Sequence, residues 1–193
     1  MLETIAWIIG VYFFLVFAVA PFVLPHLRRV RVPSRIPEDL RKTAARLSEE
    51  HPDDLSFLRA VLDEVKERYV VTRRQHFTKP WILFRTDLSL LWHAQRGDNQ
   101  ACHVLNFLVK AMLVASGRFK DEEVEGHVVF YHLNIHQYLT VRVEGVSVAV
   151  DPWGHLAGKT ELGEYAAMFS KRGVPAGSVA MRAPAPARTK RTA

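Results

Sequence analysis

From Ile5 to Leu24 the chain reads IAWIIGVYFFLVFAVAPFVL, 20 residues without a charge. About 20 apolar residues are what an α-helix needs to cross the hydrocarbon core of a bilayer. This stretch therefore reads as a transmembrane helix. A cleaved signal peptide is the rival, but the leading Met1-Leu2-Glu3-Thr4 has no basic residue, and Pro21 directly follows the small-x-small run Ala18-Val19-Ala20. A buried core helix fits poorly, because Arg28, Arg29, Arg31 and Arg35 follow at once. Those arginines flank the C-terminal end alone, so the positive-inside rule puts the rest of a single-pass protein in the cytoplasm. Pro21 and Pro25 fall near the exit, where lost backbone donors are tolerated.

The net charge of +6 is unevenly placed. Residues 1–25 form the membrane helix with a short N-tail, and 26–35 a basic juxtamembrane linker. Residues 177–193, rich in Ala, Pro, Arg and Thr, read as a disordered basic tail. The intervening 36–176 carry 18 basic and 19 acidic residues. A nearly neutral domain argues against a nucleic-acid groove, so the +6 locates the chain at a membrane and names no polyanionic partner. At 193 residues a single folded domain is expected. The one cysteine, Cys102, excludes an intrachain disulfide framework and a multi-cysteine zinc site, and would act as a thiol.

Within the domain, Pro37-Glu38-Asp39-Leu40 opens a helix with proline and acids in its first turn, and His51-Pro52-Asp53-Asp54-Leu55 repeats the device. Leu55, Leu58, Leu62 and Val65 then form one buried stripe. Tyr69-Val70-Val71 suggests a strand, Leu88 to Ala94 a helix, and Arg96-Gly97-Asp98-Asn99 a turn. Leu105, Leu108, Val109, Met112 and Leu113 recur at helical spacing until Ser116-Gly117, which puts Cys102 in the first turn of a buried helix. Unpaired N–H groups and the helix dipole there favour a thiolate, although a lone cysteine is commonly just a small hydrophobe. Asp121 to Glu125 reads as a solvated charged loop, and Leu162 to Arg172 as a short amphipathic helix.

Strand patterns follow at His127 to His132, Ile135 to Val143 and Val146 to Val150. If Glu144-Gly145 is a two-residue hairpin loop, Val143 faces Val146, Thr140 faces Ala149, Tyr138 faces Asp151 and His136 falls opposite Trp153. Leu139, Val141, Val143, Val146, Val148 and Val150 then make an apolar face. His136 and Asp151 are diagonal neighbours on the other, roughly 7 to 8 Å apart and within side-chain reach. A bulge or a three-residue loop would reverse the parity and separate them.

A helix-opening cysteine, a histidine strand His136-Gln137-Tyr138-Leu139-Thr140-Val141 and a following Val150-Asp151-Pro152-Trp153 resemble the transglutaminase-like superfamily of papain-related cysteine enzymes. The likeness covers roughly residues 90 to 155. It implies an α+β fold in which a nucleophile helix packs on an antiparallel sheet, with Cys102 as nucleophile, His136 as base and Asp151 as the orienting carboxylate. His103 stands where bacterial versions often carry an acid. The implied activity is thiol-dependent acyl transfer or amide hydrolysis on a protein or peptide substrate, without a cofactor. Gln100, Gln95 and Trp92 are candidates for a second oxyanion donor beside the Cys102 N–H. A catalytically inactive binding or scaffold module of the same fold is the alternative. A zinc hydrolase is a further rival, but His132 and His136 on a strand stand roughly 13 Å apart, too far for one ion, and no metal site is expected.

Overall fold

The uncharged run is helical. Helix α1, Leu2–Phe13, continues through a π turn at Phe14–Val19 into a last α-helical turn, Ala20–Val23. The wide turn lies just ahead of Pro21, whose ring would meet the Phe17 carbonyl in a regular α-helix. Glu3–Val23 is long and apolar enough to cross a membrane, with a mean hydropathy of 2.3. The computed structural model describes residues 2–72, 80–132, 134–167 and 172–175, and beyond the apolar helix these form a mixed α+β arrangement.

The segment after the helix docks on the domain. Leu27 is 1 % exposed and Val30 3 %, and the Gln137 side-chain amide donates to the carbonyls of His26 at 2.7 Å and Leu27 at 2.6 Å. Val30 lies against Gly126, where an added Cβ would stand 3.1 Å from its Cγ2. The first half of the expected linker is thus part of the domain's packing.

Helices α2 (Glu38–Glu50) and α3 (Asp54–Arg68) begin where their proline and acid signals stand. Asp53 caps α3 by accepting from the Ser56 N–H at 2.8 Å. Strand β1, Tyr69–Val70, pairs in parallel with β2, Asp98–Asn99, so part of the expected Arg96-to-Asn99 turn is a short strand. Between them lie a 3-10 turn at Pro80–Phe84 and α4, Leu88–Trp92. Helix α5, Cys102–Ala115, runs through the core and is buried all round from His103 to Leu113. Gly117, at φ 77°, follows its end in the left-handed region that ends many helices.

Two polar residues on α5 fix its neighbours. The Asn106 amide donates to the Gln137 carbonyl at 2.8 Å and to Gln137 Oε1 at 3.0 Å. Lys110, buried, donates to the Val124 carbonyl at 2.8 Å and pairs with Asp121 at 3.0 Å. The acidic run at 121–125 is therefore more than a solvated loop. Asp121–Glu123 forms a 3-10 turn, and β3 (Val124–Tyr131) starts inside the run, with Lys110 bonded to Asp121 and to the Val124 carbonyl.

Strands β3, β4 (Asn134–Val143) and β5 (Val146–Val150) make an antiparallel sheet in that order. Glu144 and Gly145, at φ 50° and 83°, form the two-residue turn that the register requires, with Val143 opposite Val146 and Thr140 opposite Ala149. Pairing ends at Leu139 and Val150. Asp151 leaves the sheet to cap helix α6, Pro152–Leu156, so Tyr138 has no strand partner there and Trp153 is helical.

Among the described residues of the expected helix from Leu162 to Arg172, 162–167 and 172, none is helical. Gly163 sits at φ 93°, and Tyr165–Ala166 (β6) pairs antiparallel with Arg172–Gly173 (β7). Tyr165 is held by a ring stack on Tyr138, 4.0 Å between centroids at 3°. Its tertiary contacts override the helical spacing of its apolar residues. The expected disordered tail, 177–193, lies outside the described residues.

Gln137 joins α5, β4 and the segment leaving the apolar helix. Gln137→Ala is expected to lower unfolding stability by about 1–3 kcal/mol and to open the chain at Arg28 and Arg29 to trypsin. Thermal unfolding and timed proteolysis of the full chain in detergent check this. Unchanged cleavage would show that the docked segment is held by something else.

Candidate active site

Cys102 is the first residue of α5. Ala101 before it is extended (φ −79°, ψ 157°) and supplies no side-chain cap, so first-turn N–H groups and the helix dipole favour negative charge at the sulfur. The residue is half-buried. The imidazoles of His136 on β4 and of its neighbour His103 are the two groups that act on its thiol electrostatically.

His136 is 2 % exposed, and its Nε2 stands 2.8 Å from Asp151 Oδ2, leaving Nδ1 for the sulfur. The Asp151 carboxylate is fully enclosed. Oδ2 also accepts the Ala166 N–H at 2.8 Å, and Oδ1 the Gly154 N–H at 2.8 Å. The rings of Tyr131 and Trp153 lie against the His136 ring, with centroids 5.7 and 5.2 Å away.

Burial opposes charge on both reacting groups. For Cys102 it pushes the thiol up, but hydrogen bonds and charge from His103 and His136 outweigh it and bring the value down to about 5. For His136 burial works downward, while the Asp151 carboxylate, followed by the Cys102 sulfur, raises the ring to about 10. Both shifts run in the direction of thiolate and imidazolium, the state in which a cysteine is nucleophilic and its partner can donate a proton.

The structure brings together the three residues expected from the sequence and adds others. His103, 2 % exposed, has Nε2 2.8 Å from the Leu83 carbonyl, which orients its ring. In the sequence it marks only a departure from the family pattern, with no sign that it touches the sulfur. His26 stacks on Phe107 at 3.9 Å and 8°, and burial, then His103, lowers its value to about 4. No local signal links residue 26 to this centre. Gly154 is needed for close approach, since an added Cβ would stand 2.6 Å from Asp151 Oδ2.

The oxyanion candidates separate. Gln100 is buried two residues before Cys102 and donates to Asp98 at 3.2 Å. Gln95 is exposed, and Trp92 is packed under the Arg68 guanidinium at 3.8 Å. His127 bonds Thr140 at 2.7 Å and His155 bonds Asp63 at 3.1 Å. Among the described residues no three His, Cys, Asp or Glu side chains are grouped to hold a metal ion.

A buried carboxylate hydrogen-bonded to an imidazole, with a helix-opening thiol beside that ring, is an arrangement in which a cysteine can act as a nucleophile with an oriented acid–base partner. Comparison with known proteins adds no name to that class: no family model, curated protein or solved structure matches the chain.

Alkylation of Cys102 by iodoacetamide is expected to rise as pH passes about 5 and to hold a plateau through neutral pH. Asp151→Asn and His136→Phe move the rise toward the ordinary thiol value of about 8.5. Gly154→Ala, which touches neither Cys102 nor His136, is expected to move it the same way by displacing Asp151. A wild-type rise near pH 8 to 9 would remove the case for an activated thiol. Rate against pH, with mass spectrometry locating the adduct, decides it.

Proposed function

We propose that the protein is a membrane-anchored, transglutaminase-like cysteine enzyme acting by acyl transfer through Cys102, His136 and Asp151. The observation that carries this reading is the series from the enclosed Asp151 carboxylate through the buried His136 ring to the Cys102 thiol. The His-strand and Val150-Asp151-Pro152-Trp153 patterns support the family assignment alongside it. The apolar helix anchors the chain in the bilayer, and the arginines after it set the domain on the cytoplasmic side.

In this mechanism the Cys102 thiolate attacks an amide carbonyl carbon, forming the C–S bond and moving the π electrons onto oxygen. The Cys102 backbone N–H and the Gln100 amide receive that oxyanion. As the oxyanion collapses the C–N bond breaks, and the His136 imidazolium gives its proton to the departing amine. Water or a second amine then adds to the thioester while His136 takes its proton. The C–S bond breaks and the thiolate is regenerated. Asp151 holds the ring in the tautomer that keeps Nδ1 toward sulfur and stabilises its charge. Water gives a peptidase or amidase, and an amine gives a transglutaminase.

The test is acyl-donor profiling of the full chain in detergent or nanodiscs, using glutamine-containing and acyl-amide peptides with and without an added primary amine. Wild-type protein should form a thioester on Cys102 visible by intact mass, and release acid or the new amide. Cys102→Ala should abolish product, and His136→Ala should reduce turnover at least about 100-fold. Product formation that survives Cys102→Ala defeats the proposal.

A further inference from the structure

The apolar helix and the sheet touch at an unexpected level. The ring of Phe17 meets that of Phe130 on β3, with centroids 5.2 Å apart. Phe17 lies seven residues before Leu24, about 10 Å back along the helix axis from its end. The 21 residues of Glu3–Val23 measure about 30 Å as a helix, roughly the thickness of the hydrocarbon core they would cross. No spare turn is left to stand outside the lipid. If the helix spans, the part of the sheet beside Phe17 lies below the level at which the chain leaves the membrane.

That part of the sheet suits such a place. Residues 128–135 read VVFYHLNI, without Asp, Glu, Lys or Arg. Val128 and Phe130, on one face of β3, are 43 % and 58 % exposed. Charge on the hairpin gathers at the far end, in Glu125, Arg142 and Glu144. Arg28, Arg29 and Arg31 are exposed just past the helix, with the Arg28 guanidinium 5.1 Å over the Phe22 ring, as a cation at headgroup level beside an aromatic in the boundary would stand.

We infer that the tip of the β3–β4 hairpin, with Val128 and Phe130, is a second membrane contact that rests in the headgroup–acyl boundary of an anionic bilayer. It rests on the reading of Glu3–Val23 as a membrane span. The apolar helix meets the exposed apolar side of β3 at the Phe17–Phe130 contact, and the arginines match the negative surface of the leaflet that the domain faces.

The test uses the full chain with Cys102→Ser, reconstituted in vesicles of three parts phosphatidylcholine to one part phosphatidylglycerol. A nitroxide is placed in turn at Val128→Cys, Phe130→Cys, Phe14→Cys in the span and Glu49→Cys on α2. Power saturation with oxygen and with a nickel chelate reads depth. Labels at 128 and 130 are expected to give oxygen-to-nickel ratios several-fold above that at 49 and below that at 14. Ratios at 128 and 130 equal to that at 49, with 14 reading as lipid, overturn the contact and leave the span standing. A water-like ratio at 14 overturns both. Exclusion of both reagents at 128 and 130 means that protein, such as a second copy, covers the tip, and also overturns the inference.

Discussion

The Asp151 carboxylate is the charge around which the site is built. A carboxylate taken out of water is costly unless it is met by donors or opposite charge. Asp151 meets both through groups from three elements: the His136 ring on β4, the Gly154 N–H in α6 and the Ala166 N–H in β6. One anion thus turns the chain from β5 into α6, holds β6 beside the sheet and fixes the tautomer of His136. Oδ2 is shared between His136 and Ala166, so the chain after the sheet bears directly on the reactive pair. Gly154 is part of the same constraint, because any side chain there would occupy the space the carboxylate needs.

The two-residue period of β4 couples this site to the segment that leaves the apolar helix. His136 turns toward Asp151, and Gln137, on the opposite face, turns toward α5 and the exit segment. Gln137 accepts from Asn106, one turn beyond Cys102, and donates to the carbonyls of His26 and Leu27. Nucleophile helix, histidine strand and the chain leaving the apolar helix are therefore tied at one side-chain amide. His26 strengthens the tie by stacking on Phe107 beside His103.

Much of this was legible because it rests on local periodicity. The Glu144-Gly145 turn sets a register by parity that carries through to Val150, and Asp151 reaches His136 from the helix cap just beyond the last pair. The Cys102 helix shows in its apolar spacing and in Ser116-Gly117. What was hidden depends on contacts far apart in sequence. Residues 162–172 have helical spacing, yet Tyr165 is captured by Tyr138 and the Ala166 N–H by Asp151. The Arg-rich segment reads as a linker by composition, yet Leu27 and Val30 are core residues. His103 was visible as a residue but not as a group acting on the thiol, since its ring is oriented by the Leu83 carbonyl from 20 residues away.

The same geometry bears on what the proposed enzyme would act upon. Ile135 pairs with Phe130 at the hairpin tip, and His136 is the next residue along β4, about 3.3 Å farther by strand rise. If the tip rests in the lipid boundary, the acid–base partner of Cys102 stands at the level of the headgroups. An acyl donor must then bring its carbonyl to that plane. Donors held in the same bilayer, such as the juxtamembrane flank of another membrane protein, meet the site at a high effective concentration. A freely diffusing peptide does not have that advantage. The arginines that follow the helix would also hold an acidic flank or an anionic headgroup near the thiol and repel a basic one. Selection by height and charge would thus precede any selection by side-chain fit, and the short docked connection between helix and domain is what makes the height fixed.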